Sequence, residues 1–305
     1  MYRSWTPLAR KHLTIAMNGP ETTVTCEDDT AQSYDPLFAS SDADFVLRSS
    51  DGKQFRIHTF TLRTASGFFR TMLSLPQGSE VNDSITLDES SNVVGPLLKM
   101  ISGMEIPKWE SYDEIEGVLE AAHKYDMVGP ISMIRFMLIS PRFLAEPLKL
   151  YVMAIRFDWP EEAKLAAEQS LTLSIHDTKY VPLLEQIPSR PLLKLLDLHR
   201  KRKDGFRNLI DEPSRFNTGN PDPAYCRACG NIVDNSPWRR LKSVMISQMD
   251  MRPMGDTLIG TVLEERQEAR ACWEAKCKPC GKLSYERAST LQNLSICLDL
   301  LPTSI

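Results

Sequence analysis

Asp44-Phe45-Val46-Leu47 and Gln54-Phe55-Arg56-Ile57, joined through Ser50-Asp51-Gly52, form the stretch that decides the architecture. Both runs are rich in β-branched and aromatic residues, and Gly52 supplies the positive φ of a tight turn, so the pair predicts a β-hairpin. Downstream, Thr61-Leu62 and then Phe68-Phe69-Arg70-Thr71-Met72-Leu73 place bulky apolar residues at helical spacing, with a stop at Leu75-Pro76-Gln77-Gly78. Two short helices are predicted there. Ser84-Ile85-Thr86-Leu87 alternates as a third strand. A helix follows over 92–103, with Val93, Val94, Leu97, Leu98 and Ile101 on one face, Asn92 as its cap and Gly103 at its end. Another runs over 114–125, with Ile115, Val118, Leu119, Ala122 and Tyr125 facing inward and Gly129-Pro130 closing it.

Beyond this region the strand signals vanish. Helices are expected over 148–157, 160–173, 178–186 and 191–200, punctuated by Pro147, Pro160, Pro182, Pro188 and Pro191. Asp158-Trp159-Pro160-Glu161-Glu162 is a clear helix start, because proline suits the first helical position and carboxylates suit the positive end of the dipole. Residues 211–223 hold three prolines and a glycine and read as a linker. The remainder carries a helical segment over 256–272, and no internal repeat is evident. Residues 1–40 are polar and aperiodic and read as a flexible leader. Arg3, Arg10 and Lys11, with no acid before Glu21, give that leader a faint likeness to an organelle presequence.

With 305 residues, 42% hydrophobic and 25% charged, the composition excludes collagen, porins and wholly disordered chains. No apolar run approaches a membrane span. The balance of 36 basic and 40 acidic residues gives no global field for nucleic acid or anionic membranes. Six of the seven cysteines follow residue 225, a distribution unlike a disulfide framework, so a reducing intracellular compartment, cytoplasmic or nuclear, is expected.

Asp44-Phe45-Val46-Leu47, Phe55-Arg56-Ile57-His58, Leu62, Ser66, Phe68-Phe69 and Met72, in that order, resemble the opening of a BTB/POZ domain. Ile85-Thr86-Leu87, Val94, Leu97-Leu98 and Ser102-Gly103 resemble the third strand and following helix of that family. Val118-Leu119-Glu120-Ala121-Ala122-His123-Lys124-Tyr125-Asp126-Met127 resembles its signature helix. The whole is similar to fungal BTB proteins with a helical extension. The resemblance implies an α+β fold, a three-stranded sheet with a helical cluster, followed by a helical extension and a small Cys-rich C-terminal region. The corresponding divisions are a disordered leader at 1–40, the BTB/POZ-like domain at 41–140, the helical extension at 141–210, a linker at 211–224 and the Cys-rich region at 225–305. It also implies a non-enzymatic protein-protein interaction module. Members of the family bind protein partners or form a homodimer, and some serve as cullin-3 ubiquitin-ligase adaptors. The chain departs from the family where Thr59 follows His58 in place of a basic residue, so Asp44 has no buried cationic partner. Its carboxylate is expected to be exposed or satisfied by backbone donors. Ile101 stands where a tyrosine is usual, and Leu75-Pro76-Gln77 lacks the acid of a cullin-binding motif.

Cys226-Arg227-Ala228-Cys229-Gly230 and Cys277-Lys278-Pro279-Cys280-Gly281 are two Cys-x-x-Cys-Gly knuckles. A tight turn lets two thiolates converge on one ion, and two such turns complete a four-sulfur structural Zn site at Cys226, Cys229, Cys277 and Cys280. Cys272 is placed to substitute for either member of the second pair. The competing readings are reduced cysteines serving as small apolar side chains and, more remotely, a redox pair, for which the βαβ context is missing.

No nucleophile elbow, phosphate loop or dinucleotide fingerprint occurs, and the histidines at 12, 58, 123, 176 and 199 lack metal-pair spacing. Glu161-Glu162 and Glu264-Glu265 read as helix-start or solvated charges. His199-Arg200-Lys201-Arg202-Lys203 is the one basic cluster, and it reads as cations at the negative pole of the helix before it. With a zinc-stabilised tail, that cluster is also what supports an alternative class, a nuclear transcription- or chromatin-associated protein. Noncovalent partner binding, without nucleic acid, membrane or catalysis, is the expected function.

Overall fold

β1 (Phe45–Arg48) and β2 (Gln54–Ile57) form the expected hairpin, antiparallel with Phe45 opposite Ile57 and Arg48 opposite Gln54, in a computed structural model that describes residues 34–75 and 84–305. Gly52 turns the chain at a φ of +86°, a conformation that a Cβ would crowd. α1 (Thr59–Ala65) and α2 (Gly67–Met72) follow. Ser66, between them, is fully buried; its Oγ accepts the Phe69 N–H at 3.1 Å and donates to the Tyr125 carbonyl. One hydroxyl thus caps α2 and ties it to a residue distant in sequence. β3 (Ser84–Thr86) returns parallel to β1, giving the order β2-β1-β3.

α3 (Ser91–Ile101), α4 (Tyr112–Lys124) and α5 (Val128–Leu138) pack with this sheet around one core. Val94, Leu97 and Leu98 from α3 and Ile115, Val118, Leu119 and Ala122 from α4 meet Phe45, Leu47, Phe55 and Ile57 there. Each such leucine or isoleucine contributes about 1.5–3 kcal/mol by leaving water. Two boundaries differ from expectation. Asn92 lies inside α3, which starts after Ser90. Gly129-Pro130 does not close α4. That helix stops because Asp126 adopts a left-handed φ of +49° and the Met127 N–H reaches back to the Ala122 carbonyl at 2.8 Å. Pro130 instead sits in the first turn of α5, where a missing N–H costs no helical bond.

α6 (Pro141–Leu144), α7 (Pro147–Arg156) and α8 (Pro160–Ser170) continue the chain. The helix expected over 178–186 is a 3-10 turn, Thr178–Tyr180, and a single turn, α9 (Val181–Leu184), because Pro182 cannot donate within a longer helix. α10 (Ser189–Asp211) runs a further eleven residues or so past its expected end at Arg200. Its buried stripe of Leu195, Leu198, His199, Arg202, Phe206 and Ile210 keeps helical spacing throughout. The basic cluster is therefore mid-helix, and the expectation that it offsets a helix terminus is corrected. Leu195 and Leu198 belong to the first core, whereas Phe206 and Ile210 belong to a second. α10 is the beam that both cores share.

Around that second core, β4 (Ala224–Tyr225) and β5 (Ile232–Val233) pair antiparallel, so strands do recur. α11 (Ser236–Met251), α12 (Thr261–Glu264), α13 (Gln267–Glu274) and α14 (Arg287–Asp299) complete it. The helix expected over 256–272 is divided, because Gly260 takes a φ of +67° between a 3-10 turn at Asp256–Leu258 and α12. In the segment before β4, Phe216 is buried, Asn220 donates to the Ile210 carbonyl at 2.8 Å, and Trp238 Nε1 donates to Asn220 Oδ1 at 3.0 Å. Of the expected leader, Tyr34 bridges to Gln54 and Phe38 is buried against Phe55, so residues 34–40 are packed rather than free. Its remaining residues, and Pro76-Gln77-Gly78, lie outside the described residues.

Candidate functional site

The two knuckles have the same local structure. In the first, the Cys226 N–H donates to Asn231 O and the Gly230 N–H to Cys226 O, both at 2.8 Å; in the second, Cys277 N–H to Lys282 O and Gly281 N–H to Cys277 O repeat those distances. Gly230 and Gly281 have φ of +68° and +70°. Tyr225 pairs with Ile232, and Lys276 bridges Leu283 at the corresponding place. Helices α11 and α14 begin at matching offsets, Ser236 after Cys226 and Arg287 after Cys277. Contrary to the sequence reading, the chain contains a structural repeat of knuckle and helix. Its sequence trace is confined to the cysteines and glycines, too few positions to register as self-similarity.

The repeat brings Cys226, Cys229, Cys277 and Cys280 together, with all four Sγ atoms within 4.8 Å of one another. Cys226 Sγ lies 3.6 Å from Cys280 Sγ, and Cys229 Sγ 3.6 Å from Cys277 Sγ. A tetrahedral four-thiolate zinc with Zn–S of about 2.3 Å has sulfur-sulfur edges of about 3.8 Å. A disulfide requires about 2.0 Å. The donor set therefore fits a metal ion. Cys226 and Cys277 are buried, and Cys229 and Cys280 are exposed. Backbone N–H groups aimed at sulfur favour thiolate: the Asn231 N–H, then the Asn231 side-chain amide, bring the Cys229 thiol down to about 6. The Ala228 and Cys229 N–H groups also lower Cys226, while burial pushes Cys277 up to about 12. Asn231, missed at the sequence level, donates to Cys229 Sγ at 3.3 Å. Cys272 faces the second core from α13, where burial drives its thiol up to about 12. It is not part of the four-sulfur group, and its expected substitution for a member of the second pair is corrected.

The basic cluster is dispersed by its helix. His199 and Arg202 are each 2% exposed, and Arg200 and Lys201 both pair with Asp197. Arg202 donates to the carbonyls of Pro253 at 2.6 Å, Pro302 at 2.9 Å and Met254 at 3.0 Å. Two members of the cluster are thus buried, and the two exposed ones share one carboxylate. His199 Nε2 lies 2.9 Å from Ser170 Oγ, the separation of a nucleophile and base, yet Ser170 is fully buried and donates to Ala167 O. With no access for substrate, this is a packing pair. Glu162 pairs with Arg135 and Glu264 with Arg287, as expected of structural charges.

In the first domain, Asp44 is exposed and accepts the backbone N–H of Thr59 at 2.8 Å and its hydroxyl at 2.6 Å. The carboxylate caps α1. Large apolar side chains stand in solvent on two helices: Phe60 on α1 and Phe136 on α5 are each 78% exposed, with Val128 of α5 at 66%.

The family model for the BTB/POZ domain matches residues 34–141, the segment from Tyr34 to the start of α6. The fold is thus a BTB domain with a small three-stranded sheet and many helices, followed by a cysteine cluster near the C-terminus. BTB/POZ domains are non-enzymatic interaction folds that bind protein partners and can oligomerise. No curated protein matches the chain. Among the described residues, no helix is long and apolar enough to cross a membrane.

Proposed function

We propose that this protein acts by binding other proteins, with the BTB/POZ domain as the docking element and a structural zinc ion clasping the C-terminal unit. The observation that carries this reading is the solvent exposure of Phe60 and Phe136 on helices of a domain whose fold serves protein interaction. Apolar patches kept in water mark interfaces. Self-association through α1 and α5 is the first partner to test, and a ubiquitin-ligase adaptor role through cullin-3 is the narrower form of the same reading. Sedimentation velocity over a range of concentrations decides the first. The expected result is a dimer for the native chain and a monomer for Phe60→Ser/Phe136→Ser; a dimer in both moves the contact elsewhere, and a monomer in both assigns the face to a different protein.

Cys226, Cys229, Cys277 and Cys280 would hold the zinc. Four thiolates from protein leave no open position, so the ion's contribution is cross-linking rather than Lewis-acid chemistry. It joins two knuckles far apart in sequence and thereby fixes α11 and α14 around their common core. The division into domain, helical extension and clasped C-terminal unit is part of this proposal.

A further inference from the structure

We infer that the four-cysteine clasp is also a site of oxidative modification: a hydroperoxide converts it from a zinc-held to a disulfide-held fastening, with the bonds formed across the knuckles, Cys226 to Cys280 and Cys229 to Cys277. Resting on the zinc reading, this gives the clasp a second chemical state. In both states the C-terminal unit stays closed.

Exposure divides the four sulfurs in a pattern that suits this chemistry. Cys229 and Cys280 are exposed, whereas Cys226 and Cys277 are only 6% and 2% exposed. Each 3.6 Å contact joins one of each kind: exposed Cys280 with buried Cys226, and exposed Cys229 with buried Cys277. An oxidant therefore meets the outer sulfur of each pair first, and a sheltered sulfur stands across the knuckles to trap the product. Closing to the about 2.0 Å of a disulfide moves each sulfur by less than about 1 Å. The apposition does not depend on the ion alone. Tyr285, beyond the second knuckle, donates from its hydroxyl to Asn235 Oδ1, beyond the first, at 2.8 Å, and its ring stacks on Trp238 of α11. Cys272 and Cys297 are fully buried in the second core and offer no competing thiol.

Zinc holds its sulfurs as thiolates, the nucleophilic form. The exposed thiolate attacks one oxygen of the hydroperoxide; the O–O bond breaks, the sulfur becomes a sulfenic acid, and the other oxygen takes a proton and leaves as water or an alcohol. The buried thiolate of the crossed pair then attacks the sulfenic sulfur. The S–O bond breaks, the S–S bond forms, and hydroxide leaves as water with a second proton. Each pair thus reduces one hydroperoxide and consumes two protons. A disulfide sulfur has no thiolate charge to offer a metal, so the ion is released. A dithiol reductant reverses the exchange through the exposed sulfurs, and zinc returns.

The test treats the full reduced, zinc-loaded chain with hydrogen peroxide, follows zinc release with a chromogenic chelator, and blocks remaining thiols with N-ethylmaleimide before digestion. Trypsin divides the first knuckle between residues 216–227 and 228–239 and leaves the second whole at 277–282. Crossed bonds keep these three peptides together as one disulfide-linked species, whose fragmentation assigns the pairs. Cys26, outside the described residues, is followed in the same digest. The expected result is about one zinc freed per two peroxides consumed, with the crossed pairs recovered. The oxidised, zinc-free chain should melt within about 5 °C of the zinc form, where chelation of the reduced chain lowers the melting temperature by about 10 °C or more. Dithiothreitol with zinc should restore the starting digest. Any other pairing, sulfinic acid at Cys229 or Cys280, zinc retained at about 1 mM peroxide, or a melt as low as that of the chelated chain each overturns the exchange. A reduced chain that purifies without zinc overturns the metal reading instead, and the peroxide digest of its free thiols then decides the crossed pairing by itself.

Discussion

Cys226 Sγ and Cys280 Sγ come within 3.6 Å of each other from opposite knuckles, as do Cys229 and Cys277. Crossed contacts of this length suit a tetrahedral ion better than a packed apolar core, which would have little reason to gather four thiols and leave two exposed. Purified protein is expected to contain about one zinc per chain, lost in Cys229→Ser/Cys280→Ser and retained in Cys272→Ser. Chelation should lower the melting temperature by about 10 °C or more, because binding energy of a structural metal is folding energy. Metal analysis showing the same content in all three proteins would remove the site.

Arg202 ties the two cores together by supplying donors to four carbonyls, those of Pro253, Met254, Leu301 and Pro302. Arg202→Ala strands those oxygens in a buried setting, and a loss of about 3 kcal/mol in urea denaturation is expected. Arg202→Lys should recover only part, since an ammonium cannot reproduce the planar fork. A loss below about 0.5 kcal/mol for the alanine variant would show that water replaces the guanidinium at no cost.

How far the sequence alone reaches is set by where apolar periodicity is undisturbed. The hairpin at Gly52 and the faces of α3 and α4 are legible because every inward position is hydrophobic and the turn has its glycine. The second half of α10 is hidden because Arg202 occupies a core position and Gly205 looks like a terminator. Gly205 instead packs closely: a Cβ there would lie 2.9 Å from the tip of Leu301, which would have to shift. α11 is masked by Arg239, Arg240 and Lys242, although Trp238, Leu241, Met245 and Met249 keep its buried stripe. At the candidate site, the cysteine and glycine spacing identifies both knuckles. Their convergence, and the exclusion of Cys272, depend on the shared core that the repeat of helices builds.

Asp44, exposed and bonded to the Thr59 backbone N–H as its sequence context predicts, caps α1. Asp44→Ala should cost about 1 kcal/mol, the usual price of losing an N-terminal cap, while Asp44→Asn, which offers the same acceptor, should cost less. Hydrogen exchange is expected to quicken first at the N–H groups of α1. Unchanged protection there in the alanine variant would place the start of α1 under the control of packing alone.

His199 sets an acid limit to stability. Ser170 spends its hydroxyl proton on the Ala167 carbonyl at 2.6 Å, so its oxygen accepts from Nε2–H of His199, and Nδ1 is left buried without a partner. Burial above all, then the charges of Lys203, His176 and Arg202, bring this imidazole from 6.5 down to about 4. Because the folded value is depressed, the unfolded chain takes up the proton first as pH falls. The neutral histidine's contribution is intact above about pH 6.5, declines between there and pH 4, and is gone below. The shift corresponds to about 3 kcal/mol. Urea midpoints of the native chain and of His199→Gln, followed from pH 7 to 4, should therefore change relative to each other by about that amount, with carboxylate titrations common to both cancelling in the difference. Parallel profiles would assign the acid sensitivity to other groups.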